Sequence, residues 1–458
     1  MIVAHEFLWP KDVDITLQHI AQLARQDIGR WIQAQRAWGH RDETLYLLLA
    51  LASARYIDHH GPYIGHGTFN GGPVLRAATM LGPAYRNLAL LQTATYVVDL
   101  LTNPNYGPYL LMHAEPYRDP HPTDWQNEFL QAIESGEQPL RVEHRLVALI
   151  EDVGPAMVRS SLILAGLRQF PENEHRLLIV LRAAQLLDDA GEWAQWAEPI
   201  FRPAVQYLAS RPCPIVSETA SALENINPTD GDVHAKDALE IAGHLLDCEY
   251  GEEAQILLDM AADGTSGATL YEAVALAGSE MMARSRFDAH AVTGIHCILD
   301  LLSDPNTPLS TRGLAWSAAL AGARTRQQKA LRERWIDIPE ARQAISDVEE
   351  IRHIALDDPE GLNTMAATAA CLKNGVPARQ VAAALMEIAL TTAKPFSAIH
   401  NVKMLWGQLL ETERSRLPRM AWMHLAAAAR VVAITAGEGA TEAKPILEIW
   451  QDSNLHNA

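Results

Sequence analysis

Apolar residues recur three and four positions apart along most of the chain, and this spacing constrains the fold more than any other feature. Leu178, Val180, Leu181, Ala184 and Leu187 form one such stripe, and Leu239, Ala242, Leu245 and Leu246 another. A period near 3.6 gathers these side chains on one helical face, which must be buried against a neighbour. No sustained alternation of β-branched residues closed by hairpin turn pairs accompanies them, so few strands are expected. The expected class is all-α: helical hairpins forming one large bundle or solenoid-like body, with two pseudo-repeated halves as an option.

The punctuation agrees with that plan. Gly61-Pro62, Gly71-Gly72-Pro73, Asn103-Pro104, Pro116 to Pro122, Pro212 to Pro214 and Asp304-Pro305 separate segments of helical length. The polar stretch 217–237, with its Asn-Pro-Thr-Asp-Gly-Asp run, reads as a linker or a long loop. It divides an N-terminal helical half, 1–216, from a C-terminal half, 238–458.

Composition narrows the function classes. In 458 residues, 37 Lys and Arg face 56 Asp and Glu, a net charge of −19 that argues against a general nucleic-acid binder. Hydrophobic residues make up 48%, enough for a large core and unlike a disordered chain. The longest apolar stretch, Leu45 to Ala54, is far shorter than the roughly 18 residues of a membrane span. Acidic residues stand early (Glu6, Asp12, Asp14) and no secretory pattern follows, so a cytoplasmic protein is expected. Cys213, Cys248, Cys297 and Cys371 form no CxxC pair, which points to reduced thiols and away from a zinc ribbon.

A repeat is visible beneath the stripes. Thr44-Leu45-Tyr46, leading into Leu49-Ala50-Leu51-Ala52, is echoed by Thr269-Leu270-Tyr271, leading into Val274-Ala275-Leu276-Ala277. A pair of histidines six apart follows each copy, His60/His66 and His290/His296. Val381 to Leu385, leading to Lys394-Pro-Phe-Ser-Ala-Ile-His400, is a third and weaker copy. Six residues turn a helix by about 600°, which leaves such a pair about 120° apart, so a shared site needs a break between its members. Gly61-Pro62 supplies a break in the first pair, and Gly294 is the candidate in the second. Equivalent helix starts would then turn imidazoles toward one cavity, where neutral histidine suits iron, copper, zinc or haem. The plainer alternative is that each histidine caps or bonds a neighbouring loop.

Weaker signals stand beside these. Glu172/His175 and Glu350/His353 carry the Glu-x-x-His half-motif of di-iron bundles. Asp188-Asp189 and Asp357-Asp358 read as helix ends rather than acid/base dyads. The run Gly65 to Gly72 lacks the spacing and lysine of a phosphate loop, and neither GxSxG nor HExxH occurs. Arg324 to Arg334 is a basic run, read as a solvated face or docking patch.

At the histidines the sequence resembles known families. Phe287-Asp-Ala-His-Ala-Val-Thr-Gly-Ile-His296 looks like the His-Ala-Val-Thr-x-x-His element of His-rich helical proteins fused to Rieske-type iron-sulphur domains. The run His60 to Gly82 is similar to a pattern of the questin-oxidase-like family, and Phe396-Ser-Ala-Ile-His400 looks like a further copy. Together these segments cover about 50 residues. The resemblance implies an all-α, oxygen-using oxidoreductase. Two departures stand out: the chain has no Rieske cysteines, which implies a separate electron-donor protein, and Lys394 stands where the third copy would begin with histidine.

The resulting expectation is an oxidoreductase or oxygenase for a small organic substrate, dependent on iron, another transition metal or haem. The expected metal ligands are His60, His66, His290, His296 and His400. His66, His296 and His400 are also the expected acid/base groups, and Tyr63, Thr293 and Asn401 orient or contact the cofactor. No nucleic-acid or membrane partner is expected, and the oligomeric state is left open. The competing expectation is a helical-repeat scaffold that binds a protein partner without chemistry.

Overall fold

The computed structural model describes residues 5–60, 65–118, 124–215, 218–249, 251–285, 289–321 and 347–457. Side chains 285, 289–292, 437, 438, 440 and 457 are excluded from the description. Among the described residues the fold is all-α, and the one extended pairing is an isolated antiparallel bridge between Glu6 and Met112. No described helix is long and apolar enough to cross a membrane. Tyr63 and the basic run 324–334 lie outside the described residues, as does the side chain of His290.

The chain forms two compact units. The first comprises residues 1–169, 176–214 and 445–458, and the second comprises 170–175 and 215–444. A single cut in the sequence does not separate them, because the C-terminal residues from Pro445 belong with the first unit.

In the first unit the helices are α1 Lys11–Gln22, α2 Ile28–Ala37, α3 Asp42–Tyr56, α4 Gly71–Ala78, α5 Pro83–Leu101, α6 Trp125–Glu134, α7 Pro139–Val153, α8 Pro155–Gln169, α9 His175–Ala190 and α10 Trp193–Ser210. Helix α3 packs against α1, α4, α5 and α10, and its residues Leu45 to Ala54 are all buried. An apolar run of this length on a central helix has neighbours on every side, which explains why it shows no polar face. Pro83 and Pro139 begin α5 and α7, where a missing N–H costs nothing. Gly71-Gly72-Pro73 is the first turn of α4 rather than a break.

The second unit contains α11 Ala220–Leu223, α12 Ala235–Asp247, α13 Glu253–Ala262, α14 Gly267–Ser285, α15 Ala289–Ser303, α16 Leu309–Ala318, α17 Val348–Ala355, α18 Leu362–Lys373, α19 Ala378–Thr392, α20 Pro395–Arg414 and α21 Trp422–Asp452. Helix α21 belongs to this unit as far as Lys444. The polar stretch 217–237 contains α11, which packs against α16. Helix α14 lies against α12 and α15, and α20 lies against α15 and α19. Gly361 leads into α18 with φ of +67°, and a Cβ there would stand 2.4 Å from the Arg430 carbonyl oxygen. Glycine is therefore required both for the turn and for the approach of α21.

The repeat segments fall on corresponding elements. Thr44-Leu45-Tyr46 opens α3, Thr269-Leu270-Tyr271 opens α14, and Val381 to Leu385 lies in α19, one element before the helix carrying His400.

Candidate functional site

No helix joins the first histidine pair, but the expected break at Gly61-Pro62 lies outside the described residues, and His60 stands beyond the end of α3 rather than at it. Helix α3 ends at Tyr56, and a 3-10 turn begins at His66, so the two histidines belong to different local structures. The second pair differs. Helix α15 runs unbroken through Gly294, so the expectation of a break there is corrected. Gly294 instead admits a close neighbour: a Cβ on it would lie 2.8 Å from Cβ of Glu174 and 3.3 Å from the Phe170 ring. The glycine is a packing notch on a continuous helix.

In the first unit His60 is held between two carboxylates. Its Nδ1 lies 2.8 Å from Asp58 Oδ1, and its Nε2–H donates to Glu143 Oε1 at 3.0 Å. Glu143, on α7, is fully buried and accepts at Oε2 from Arg202 Nε at 2.7 Å and from Gln206 Nε2 at 3.0 Å, both on α10. Gln206 also reaches the Tyr109 hydroxyl at 2.8 Å. Burial alone would lower the His60 pKa, but its bonds and charge contacts with Glu143 and Asp58 outweigh burial and raise it. Burial likewise works to raise the Glu143 pKa, and the His60 bond with the Arg202 charge brings it below the ordinary value.

The other expected residues of this unit have separate surroundings. His66 is buried with its ring centroid 4.8 Å from Phe69 and 6.3 Å from Tyr96. His59, which had no role at the sequence level, is buried with its ring nitrogens 2.9 Å from the Ile57 and 3.3 Å from the Gly65 carbonyl oxygens. It closes the loop that carries His60, and burial lowers its pKa to about 4.

In the second unit the polar centre is His296 on α15. Its Nδ1–H donates to Glu411 Oε1 of α20 at 2.6 Å. The opposite nitrogen, Nε2, is buried without a hydrogen-bond partner among the described residues and stands 3.3 Å from Asp300 Oδ2, one turn along α15. Tyr271 of α14 donates its hydroxyl to Glu411 Oε2 at 3.0 Å. Arg414 contacts Glu411 at 3.3 Å and Asp300 at 2.7 Å. Burial, followed by the Glu411 charge, pushes the Tyr271 pKa well above its ordinary value, so the phenol stays a donor.

Gly407 makes this contact between α15 and α20 feasible. A Cβ at that position would lie 2.9 Å from Cδ2 and 3.0 Å from Cγ of His296. His400 lies seven residues earlier on α20, about 10 Å along the axis at 1.5 Å per residue. Its Nδ1–H donates to the Phe396 carbonyl oxygen at 2.6 Å, and its ring lies 4.1 Å from the Phe396 ring. Thr293 and Asn401 are buried, and Asn401 Nδ2 donates to Thr435 Oγ1 at 2.6 Å. His296 and His400 are therefore on neighbouring helices but in different local networks. Among the described residues, no group of three or more His, Cys, Asp or Glu side chains is placed to hold a metal ion.

A second buried pair extends the polar layer. Ser279 Oγ of α14 lies 2.8 Å from His424 Nδ1 of α21 and donates to Gln408 Oε1 at 3.0 Å. Burial lowers the His424 pKa to about 4. Ser279, His424, Gln408, Glu411, Glu143 and Arg202 were all missed in the sequence. The available signal was a charged or polar residue within an apolar stripe, as where Glu143 stands beside Val142 and shares a face with Leu146 and Val147.

The weaker candidates take ordinary structural roles. Glu350 and His353 are exposed on α17. Asp189 pairs with Arg76 at 2.8 Å, and Asp358 accepts from the Thr364 backbone N–H at 2.7 Å, as a helix-start cap does.

No protein-family model matches the chain, and no curated protein or solved structure matches it.

Proposed function

We propose that the chain is an oxidoreductase acting on a small organic substrate, with His296 as its working histidine and dioxygen as the electron acceptor. The observation that carries this reading is the unequal state of the two His296 nitrogens. Nδ1 is fixed by buried Glu411 at 2.6 Å, while Nε2 has no hydrogen-bond partner among the described residues. A carboxylate behind an imidazole sets its orientation and leaves the far nitrogen for proton transfer or ligation. Buried polar atoms are nearly always hydrogen-bonded, whereas this nitrogen makes only the 3.3 Å ion-pair contact with Asp300 Oδ2. The oxidative class comes from the resemblance at Phe287 to His296.

The same residues bear on the expected metal. His296 Nε2 and Asp300 Oδ2 are 3.3 Å apart, the separation of two ligands with bonds of about 2.1 Å at a near-tetrahedral angle. Two side chains fall short of the usual three of a catalytic metal site. The Arg414 guanidinium, 2.7 Å from Asp300, also competes with a cation. The described residues therefore do not make a resident iron or haem site, and the chemistry assigned to this chain is proton transfer at His296.

A second reading has its own support. Both His60 nitrogens are within bonding distance of carboxylates, and His400 donates to its own helix. Such bonds are typical of structural histidines, and they favour a helical-repeat scaffold for a protein partner.

Dioxygen uptake, measured with a chemical reductant across a panel of small phenols and ketones, separates the two. The oxidoreductase reading expects turnover that follows the protein through purification. No uptake with any member, together with one stoichiometric protein partner in pull-downs, would replace it with the scaffold.

A further inference from the structure

Among the described residues, the His296 ring is closed on two sides and meets partly exposed groups on a third. Glu411, at Nδ1, is 2% exposed, and Gly407 closes the Cδ2 edge, where a Cβ would stand 2.9 Å away. At Nε2 the neighbour is Asp300 Oδ2 at 3.3 Å, and the Asp300 side chain is 22% exposed. Arg414, 35% exposed, reaches across from α20 to bond Asp300 Oδ1 at 2.7 Å. We propose that the Asp300–Arg414 ion pair is a gate over His296 Nε2, closed in this structure and opened when the two side chains separate. The inference rests on His296 as the working group and adds how that group is reached.

Three observations support the gate. First, it covers the atom that the chemistry needs. Nε2 is buried without a hydrogen-bond partner among the described residues, so Asp300 leaves it without breaking a hydrogen bond to the ring. Second, the latch is weak. Ion pairs between partly exposed side chains contribute little in water and are screened by salt. Arg414 also contacts Glu411 Oε1 at 3.3 Å, so it keeps a carboxylate partner when Asp300 turns outward. Third, the moving parts stand at helix ends while their surroundings are held. Asp300 lies three residues before the end of α15 at Ser303, and Arg414 is the last residue of α20.

Directly after Arg414, the Ser415 hydroxyl and the Arg416 backbone N–H both donate to Glu272 of α14, which anchors the chain there. The Arg414 side chain therefore swings on a fixed backbone. The bond from His296 Nδ1 to Glu411 is buried on both sides and is not part of the latch, so the ring keeps its orientation with the gate open.

Diethyl pyrocarbonate, which carbethoxylates accessible imidazole nitrogens, tests the gate without a substrate. The rate at each histidine is read by peptide mass spectrometry in wild type, Asp300→Ala and Arg414→Met at matched helicity. Loss of an ion pair of this exposure is expected to speed His296 modification roughly twofold to fivefold. Added salt should speed it in wild type as well, while buried His424 and exposed His353 keep their rates. If one variant does not fold, the other and the salt series decide. A His296 rate unchanged by substitution and by salt, or a His424 rate that rises in step with it, would overturn the gate and leave the pair as a tie between α15 and α20. A failed gate leaves the proposed function to its own test, and turnover retained by His296→Gln would overturn that reading whatever the modification rates.

Discussion

Replacing Gly407 with alanine adds one methyl group where α20 meets His296. The new Cβ would lie 2.9 Å from Cδ2 and 3.0 Å from Cγ of a ring that is 1% exposed, so the ring must move. Overpacking of this kind costs about 1–3 kcal/mol. A displaced ring also weakens the 2.6 Å bond to Glu411, and a bond to a charged group contributes about 1.5–3 kcal/mol. Against this, alanine is favoured over glycine in a helix by about 1 kcal/mol. The balance is a loss of roughly 3 kcal/mol, equivalent to about 6–12 °C in Tm for a unit of this size. Urea unfolding of Gly407→Ala, His296→Ala and the double variant forms a cycle that isolates the clash. The double variant should be more stable than the two single losses added together. A Gly407→Ala protein as stable as wild type would refute the seating of His296 against α20.

Other consequences follow from the two polar networks. Glu143→Ala removes the nearer of the two carboxylates beside buried Arg202, leaving Glu198 at 3.6 Å, and loss of one partner of a buried pair costs about 3–5 kcal/mol, measurable by urea unfolding. The His60–Glu143 pair has a defined pH window. The raised His60 pKa stabilises the fold at pH below about 6.5 and the contribution is lost as pH climbs through the folded value, while the lowered Glu143 pKa contributes above about 4.5 and is lost on acidification. Stability that differs between wild type and His60→Gln should therefore peak between these limits, and a flat difference would count against the pairing. His59 and His424 act in the opposite direction. Their pKa values fall from 6.5 to about 4 on folding, so stability drops as pH falls from about 6.5 towards 4, by on the order of 3 kcal/mol for each. His424→Gln should remove its share of that acid sensitivity, and unchanged urea midpoints between pH 7 and pH 5 in wild type would contradict the burial argument.

The fold was legible because its signal is local. Stripes such as Leu178 to Leu187 mark helices without knowledge of what they pack against. Gly294 misled for a physical reason: a glycine reads as a helix break from sequence, but it also serves where another chain segment approaches, and Glu174 does so there. The histidines could be named from spacing, but their partners could not. Glu143 lies 83 residues from His60, and Glu411 lies 115 residues from His296. Only packing brings these groups together, and their sequence surroundings are those of ordinary amphipathic helices. His424 was invisible for the same reason, since its partner Ser279 lies 145 residues away.

The central claim is that His296, oriented by Glu411, is the group that acts on substrate. Turnover of a substrate found in the dioxygen-uptake panel, compared between wild type, His296→Gln and the exposed-site control His353→Gln at matched helicity, tests this most directly. Loss of a positioned acid/base group lowers the rate by roughly 100-fold or more. The account predicts that loss for His296→Gln and a wild-type rate for His353→Gln, and equal rates in all three proteins would contradict it.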